Sequence, residues 1–471
     1  MSEAFNQDPV WNAQSDDSIL RDTVDYQYVK FENQGDVSDR DNYTVFSTDR
    51  SSYYYLPSAF LAVEFQVTKA NGDPVDSDCA LASNGWSLFR DVRVSVEDRQ
   101  IAQVDHPAVV STFSNLIEQS NDTMNTLGPL SHMYIDSVSD GHTGATVVPV
   151  GRGYLAGTDL SGIPATGFYP QSLTDEIQGQ FTKEVTGKLQ TIRKNPNFDP
   201  AMKAKVDRAG ARQFVRLPLS DVCGIFDMER VVKGSKLQVE LNKADPRQAI
   251  FGDDATSLLK ISKVQLWIAK VRPSLKAQEN FSSQLAKQST LKTNFIGRHL
   301  ITATSVAKGA GEHQLSVSHK VNKPTSVIVA FGYSDRFTNR ALNPLQWDLQ
   351  DRLSRVELRA NNKQVPNVAY NPQGGDFTQV IHDLYKLGGK DELESPVLTW
   401  KNWQSNYPIF GFDLSQAEGD SHESRSIMTL DLNWAFSAGS DVDPYTIYVL
   451  INSESEAHLD YANGLTTLRI N

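Results

Sequence analysis

The sequence predicts an all-β protein in which one β domain occurs twice. Three observations carry this. Residues 89–104 (FRDVRVSVEDRQIAQV) and, 264 positions on, residues 353–368 (LSRVELRANNKQVPNV) both read as an alternating strand, a polar turn and a second apolar strand. A helix-period stripe follows each within about a dozen residues: Val109, Val110, Phe113, Leu116 and Ile117, then Phe377, Val380, Ile381, Leu384 and Tyr385. Three later segments also recur in the same order, which a chance match of one motif would not produce.

Those segments are short, alternating and rich in β-branched or aromatic residues, as half-buried strands are. Leu217-Pro218-Leu219-Ser220 answers to Phe412-Asp413-Leu414-Ser415. Residues 236–242 (KLQVELN) answer to 427–433 (IMTLDLN), and 264–268 (VQLWI) to 445–449 (YTIYV). The openings match more loosely, 56–67 (LPSAFLAVEFQV) with 323–331 (KPTSVIVAF).

In chain order, residues 1–50 read as a polar N-terminal arm with 11 acidic residues against 4 basic ones. Val24, Tyr26 and Tyr28 alternate with polar residues, so part of the arm is expected to add to a sheet edge. The first domain is expected over 51–275, a polar connector over 276–292 and the second domain over 293–471. The copies differ in one place. Val104 and Leu217 are 113 positions apart, whereas Val368 and Phe412 are 44 apart, so the first copy carries long loop insertions at about 120–213. These include a Gly/Thr/Pro-rich part at 141–167 and a basic stretch, 181–216, with nine Lys or Arg against three acidic residues. Loops that long on a rigid scaffold are usually functional or contact-making.

Composition narrows the function. At 471 residues with 39% hydrophobic content, 21 Phe and 16 Tyr, the chain can bury two substantial cores. No apolar run approaches the roughly 20 residues of a membrane-spanning helix, and residues 1–8 have no signal-peptide core. The formal net charge of −12 disfavours wrapping nucleic acid, because phosphate binding needs clustered Lys and Arg. Cys79 and Cys223 are too few for a disulfide framework or a Cys-based metal site, and both are expected to be buried as small apolar groups.

Catalytic signatures are absent: there is no G-x-S-x-G elbow and no G-x-x-x-x-G-K-[ST] loop. Residues 151–157 (GRGYLAG) have the wrong spacing for a dinucleotide loop, and 36–41 lack the Gly and Glu of a calcium loop. His313 and His319 lie close in sequence, but no pattern completes a metal site around them. Asp413 and Asp431, at strand ends, could pair as glycosidase carboxylates only if folding brought them together. No catalytic, cofactor-binding or metal residue is therefore assigned. Trp86 and Trp267 sit in strand-like runs and are expected in the core. Trp400 and Trp403 flank a turn and are expected to be exposed, which leaves open a carbohydrate-binding or carbohydrate-active two-domain β-sandwich. A fibrous adhesin or tail component lacks its repeats here.

Two consecutive antiparallel β domains, an acidic arm, no active site and long loops in the first domain make a combination. It resembles the double jelly-roll major capsid proteins of double-stranded DNA viruses, in the group including virophages and Polinton-like viruses. The two strand-turn-strand-helix units, the paired closing strands and residues 407–414 (YPIFGFDL) carry the resemblance, over residue 50 to the end. It implies two tandem jelly-roll β-sandwich domains with short helices in the connecting loops, and a non-enzymatic structural role. It implies a homotrimeric, pseudo-hexameric capsomer in an icosahedral shell, with neighbouring capsomers, penton and minor capsid proteins as partners. An internal membrane beneath the shell is a further partner it allows, with the arm lacing these components together. The implied place is the virion, after synthesis in the host cytoplasm, without direct sequence-specific nucleic-acid binding.

Overall fold

In the computed structural model most of the described residues lie in strands. The structure describes residues 23–32, 41–47, 52–73, 79–96, 98–133, 139–140, 148–149, 212–227, 231–233, 236–252, 256–279, 283, 290–306, 311–317, 321, 323–334, 347, 353–372, 378–389, 396–399, 403, 407–414, 429–437, 445–460 and 467–470. The first half holds β1 (Thr23–Glu32), β2 (Asn42–Phe46), β3 (Tyr53–Thr68), β4 (Cys79–Leu81), β5 (Phe89–Val96) and β6 (Arg99–Asp105). After them come β7 (Ser139–Asp140), β8 (Val148–Pro149), β9 (Gln213–Pro218), β10 (Val231–Lys233), β11 (Leu237–Lys243), β12 (Ile250–Gly252) and β13 (Leu258–Pro273). The second half holds β14 (Thr290–Val306), β15 (Glu312–Val317), β16 (Pro324–Tyr333), β17 (Leu353–Ala360) and β18 (Lys363–Tyr370). It ends with β19 (Ile409–Asp413), β20 (Leu430–Phe436), β21 (Tyr445–Asp460) and β22 (Thr467–Ile470). Two helices matter below, α1 (Pro107–Glu118) and α2 (Thr378–Leu387).

Each half forms two antiparallel sheets with the same strand order. In the first, β1-β13-β3 carries β9 and β10 on β3, and the second sheet runs β2-β11-β5-β6. In the second half the order is β14-β21-β16-β19 and β15-β20-β17-β18. Counting eight main strands along either half, one sheet reads 1-8-3-6 and the other 2-7-4-5. The chain alternates between two sheets that close over one core, which is jelly-roll topology.

Local chemistry explains the hairpins. Between β17 and β18 only Asn361 and Asn362 intervene, and both have positive φ, 49° and 65°. That is the twist-matched two-residue turn, and Asn tolerates it better than most residues. Asp98 takes the same conformation (φ 60°) between β5 and β6. Alternation then fixes the faces. On β20, Leu430, Leu432, Trp434 and Phe436 point inward while their neighbours stay half-exposed. In the second core Phe331 packs edge-on against Phe410 and lies 5.8 Å from Trp434, whose Nε1–H donates to the Tyr445 hydroxyl at 3.0 Å.

β1 stands at an edge of the larger sheet, paired with β13, as the alternation of Val24, Tyr26 and Tyr28 predicts, so the described part of the 1–50 segment belongs to the first roll rather than to a separate arm. β1 and β2 are the first two strands of the first roll, one in each sheet, and Val29 and Phe31 pack against its core. Of the 11 acidic residues of this segment only Asp25, Glu32 and Asp41 are among the described residues, so the charge of the segment does not describe its strands. Residues 1–22 lie outside the described residues. So does most of the 120–213 insertion, apart from 120–133, the strand pair β7–β8 and the run from 212.

Candidate functional site: the seam between the two rolls and the outer sheet faces

The second roll turns the outer face of its β14-β21-β16-β19 sheet toward α1 and the turns after β9. Arg298, on β14, lies in the ladder row of Asn452 and Ser326, pointing away from the second core. Its guanidinium reaches into the first roll. One Nη2 donates to both Glu118 carboxylate oxygens at 3.0 and 2.8 Å, and it lies 3.5 Å from Asp227 Oδ2. Nη1 donates to the Ser220 carbonyl. The Arg298 side chain is 2% exposed, whereas Glu118 and Asp227 sit at the rim.

Backbone contacts hold the seam close. A Cβ on Gly224 would stand 2.1 Å from the Ile296 carbonyl oxygen, and one on Gly388 would stand 2.2 Å from that of Ile117. Only glycine lets these backbones approach so near. Between them Phe113 of α1 packs against Trp347, with ring centroids 5.0 Å apart, and Trp347 lies over Gly332 and Tyr448 of the second roll's sheet.

Behind the clamp Asp221 is enclosed, accepting from the Ser111 hydroxyl at 3.0 Å and the Asn115 amide at 3.4 Å. Burial pushes its carboxyl up to about 6, partly offset by the Ser111 hydrogen bond and by the positive charge of Arg298. Burial raises Asp227 as well, to about 7, and the positive charge of Arg298 offsets part of that rise. For Arg298 burial alone would lower the value, and the charge of Glu118 leads the carboxylates that raise it instead. The cluster therefore keeps a charged guanidinium where an unpaired charge would be strongly unfavourable. Cys223 beside it is free and buried, its thiol pushed up to about 12 by desolvation. The side chain of Cys79 lies outside the described residues.

The residues weighed for chemistry are placed as follows. Asp413 and Asp431 lie on different sheets of the second roll, β19 and β20; Asp413 is 3.5 Å from Lys386 and Asp431 accepts from the Ser316 hydroxyl. They do not form a pair. His313 stacks on Trp434 at 5.5 Å, and His319 is outside the described residues, as are 151–157 and 36–40. Among the described residues, no group of three or more His, Cys, Asp or Glu could hold a metal ion. No described helix is long and apolar enough to cross a membrane.

Two tryptophan expectations are reversed. Trp403 is fully buried, its Nε1–H donating to the Ile409 carbonyl at 2.6 Å and its ring edge-on to Phe410. Trp400 is outside the described residues. Trp86 is in the core as expected, but Trp267 points outward, stacked on Phe60 at 5.9 Å. Leu266 and Ile268 take the inward side of β13 instead. The Arg298 clamp has no motif. Its only sequence signal is a charge among apolar residues at 295–300 (FIGRHL), which reads equally as an ordinary exposed strand position.

Comparison with solved structures decides the architecture. A chain of the Sputnik virophage structure matches with a TM-score of 0.58 at 10% identity, over 95% of this chain and 89% of that one. This is the double jelly-roll fold. VP54 of PBCV-1, fitted into a reconstruction of the same virophage, gives 0.54 at 9% identity, covering 94% and 96%. The mavirus major capsid protein gives 0.52 at 10%, covering 94% and 90%. No protein-family model and no curated protein matches the chain. At such low identity the likeness shows the fold.

Proposed function

We propose that the chain is a viral major capsid protein whose trimers form pseudo-hexameric capsomers that tile an icosahedral shell. One observation carries the reading: a single chain holds two rolls of the same strand order, fixed to each other through a clamped seam. A threefold axis then yields six similar lobes, an outline that tiles a curved surface. That the solved relatives in fold include a major capsid protein supports it.

On this reading the protein is structural and non-enzymatic. The first roll runs from β1 to about residue 275 and carries the insertion at about 120–213, and the second takes 293–471. Partners are two further copies, neighbouring capsomers and penton and minor capsid proteins, within a virion built from subunits made in the host cytoplasm. Such a permanent trimer typically buries over about 2,000 Å² in total. The burial of Trp403 removes one of the two tryptophans on which a sugar-binding sandwich would rest.

Negative-stain imaging of the purified protein with class averaging is the test. Particles of hexagonal outline with threefold symmetry are expected. Two-lobed monomers at micromolar concentration, with no shells, would overturn the reading.

A further inference from the structure

Three carboxylates and one guanidinium meet in the seam, and the rolls divide them unequally. Glu118, Asp221 and Asp227 belong to the first roll, and Arg298 to the second. With all four ionised, three negative charges against one positive leave −2; with Asp221 and Asp227 protonated the cluster is neutral. The guanidinium is already committed. Its Nη2 serves both Glu118 oxygens and its Nη1 the Ser220 carbonyl, while its Nε–H is buried with no acceptor among the described residues. Asp221 takes its hydrogen bonds from Ser111 and Asn115, which carry no charge.

The charges that act on Asp221 are those of Arg298 and Glu118, and on Asp227 those of Arg298, Glu118 and Asp221. Cys223, in the same turn, has its thiol pushed up to about 12 and stays neutral. Of the other elements packed here, β3 brings Glu64, 3.8 Å from Arg212, and β6 brings Arg99 and Asp105 at its two ends. α2 meets α1 through the Gly388 backbone, and its Lys386 faces Asp413 at 3.5 Å.

Burial is the largest influence on both aspartates and outweighs Arg298, holding Asp221 at about 6 and Asp227 at about 7 against the ordinary 3.8. Ionisation is therefore harder in the closed seam than in water. Opening draws Arg298 away but lets water reach the side of Asp221 that faced it, and the ionised form is then solvated. Closure thus holds protons that opening releases, so it is favoured at low pH and loosens as pH rises through about 6 to 7. Asp227, at the rim, meets water in both states, and Asp221 carries more of the effect.

We propose that the seam is a pH-governed latch between the rolls, closed while Asp221 and Asp227 hold protons and opening more often as they ionise, with both cores intact. Each roll keeps its own two sheets through such an opening, so no unfolding is needed. The latch goes beyond the capsomer reading and does not depend on it.

The test is hydrogen exchange of the full-length protein, followed by mass spectrometry from pH 5 to 8 and corrected for the pH dependence of unprotected amides. Protection in 115–119 and 219–227 is expected to fall by about tenfold or more over that range. β2-β11-β5-β6 and β15-β20-β17-β18 are expected to keep theirs. Asp221→Asn and Asp227→Asn should each shrink the fall, and the double variant should abolish it. Seam protection that stays constant with pH in the wild type overturns the proposal, as does a fall shared equally by both cores. If the double variant does not fold, Asp227→Asn alone decides, because an undiminished fall in it overturns the proposal too.

Discussion

At Asp221 a carboxyl group is enclosed between α1 and the turn after β9, hydrogen-bonded to Ser111 and Asn115 and facing Arg298 across the seam. Its value of about 6 lies above the ordinary 3.8, so the folded state holds a proton that the unfolded chain has released. Stability is therefore lost as pH rises from about 4 through about 6 and levels off beyond, with at most ~3 kcal/mol from this group. Replacement by Asn keeps an acceptor for Ser111 and removes the buried charge. Asp221→Asn is expected to reduce the fall of the urea midpoint between pH 4 and 6, leaving the fall at higher pH that Asp227 contributes, and to raise the midpoint at pH 8. An unchanged slope between pH 4 and 6 would show that Asp221 is already ionised at pH 4. None of this was legible in the sequence, where Ser220-Asp221 looks like any polar turn. The tryptophans show a related limit. Local pattern assigned Trp267 to the core and Trp403 to the surface, but the strand's phase and the packing around Phe410 put them the other way round.

Among the elements, duplication was legible in order and less so in register. Val94 and Leu358 are equivalent at the 264-residue shift, and they pair with Val239 and Leu432. Val239 thus answers to Leu432 rather than Leu430, a slip of two residues. Leu61 pairs with Leu217 and Leu266, while Val327 pairs with Phe412 and Ile451. Leu266 therefore answers to Ile451 rather than Ile447, a slip of four. Both slips are even, so every side chain stays on its own face and the hydrophobic pattern cannot detect them. The seam depends on elements in another way, through backbones that touch. Gly224→Ala places a methyl against the Ile296 carbonyl, and neither partner is a flexible side chain end. We expect a loss of about 1–3 kcal/mol. Hydrogen exchange should speed up in 219–227 and in the first half of β14, and stay unchanged across β2-β11-β5-β6. Uniformly faster exchange would place the damage in the first core instead.

For the whole molecule, the question is whether two rolls behave as one body. Each has its own two-sheet core and could in principle unfold alone. The seam opposes that, because separating the rolls would hydrate Phe113 and Trp347 and strip Glu118, Asp227 and the Ser220 carbonyl from the Arg298 guanidinium. A capsomer reading demands such rigidity, since six lobes keep a common outline only if the two within a chain hold a fixed angle. Calorimetry of the wild-type protein is therefore expected to give one transition whose calorimetric and van't Hoff enthalpies agree. Arg298→Leu keeps bulk at the site but leaves Asp221 and Glu118 facing an apolar side chain. Removing one partner of a buried ion pair costs about 3–5 kcal/mol, and the rim position of Glu118 and Asp227 sets this case at the lower end. That loss falls on the seam and not on either core, so the variant is expected to resolve into two transitions, one per roll. A single transition shifted to lower temperature would mean that the apolar contacts of Phe113 and Trp347 couple the rolls without the clamp. Two transitions already present in the wild type would mean that the angle between rolls is set only when copies assemble around them.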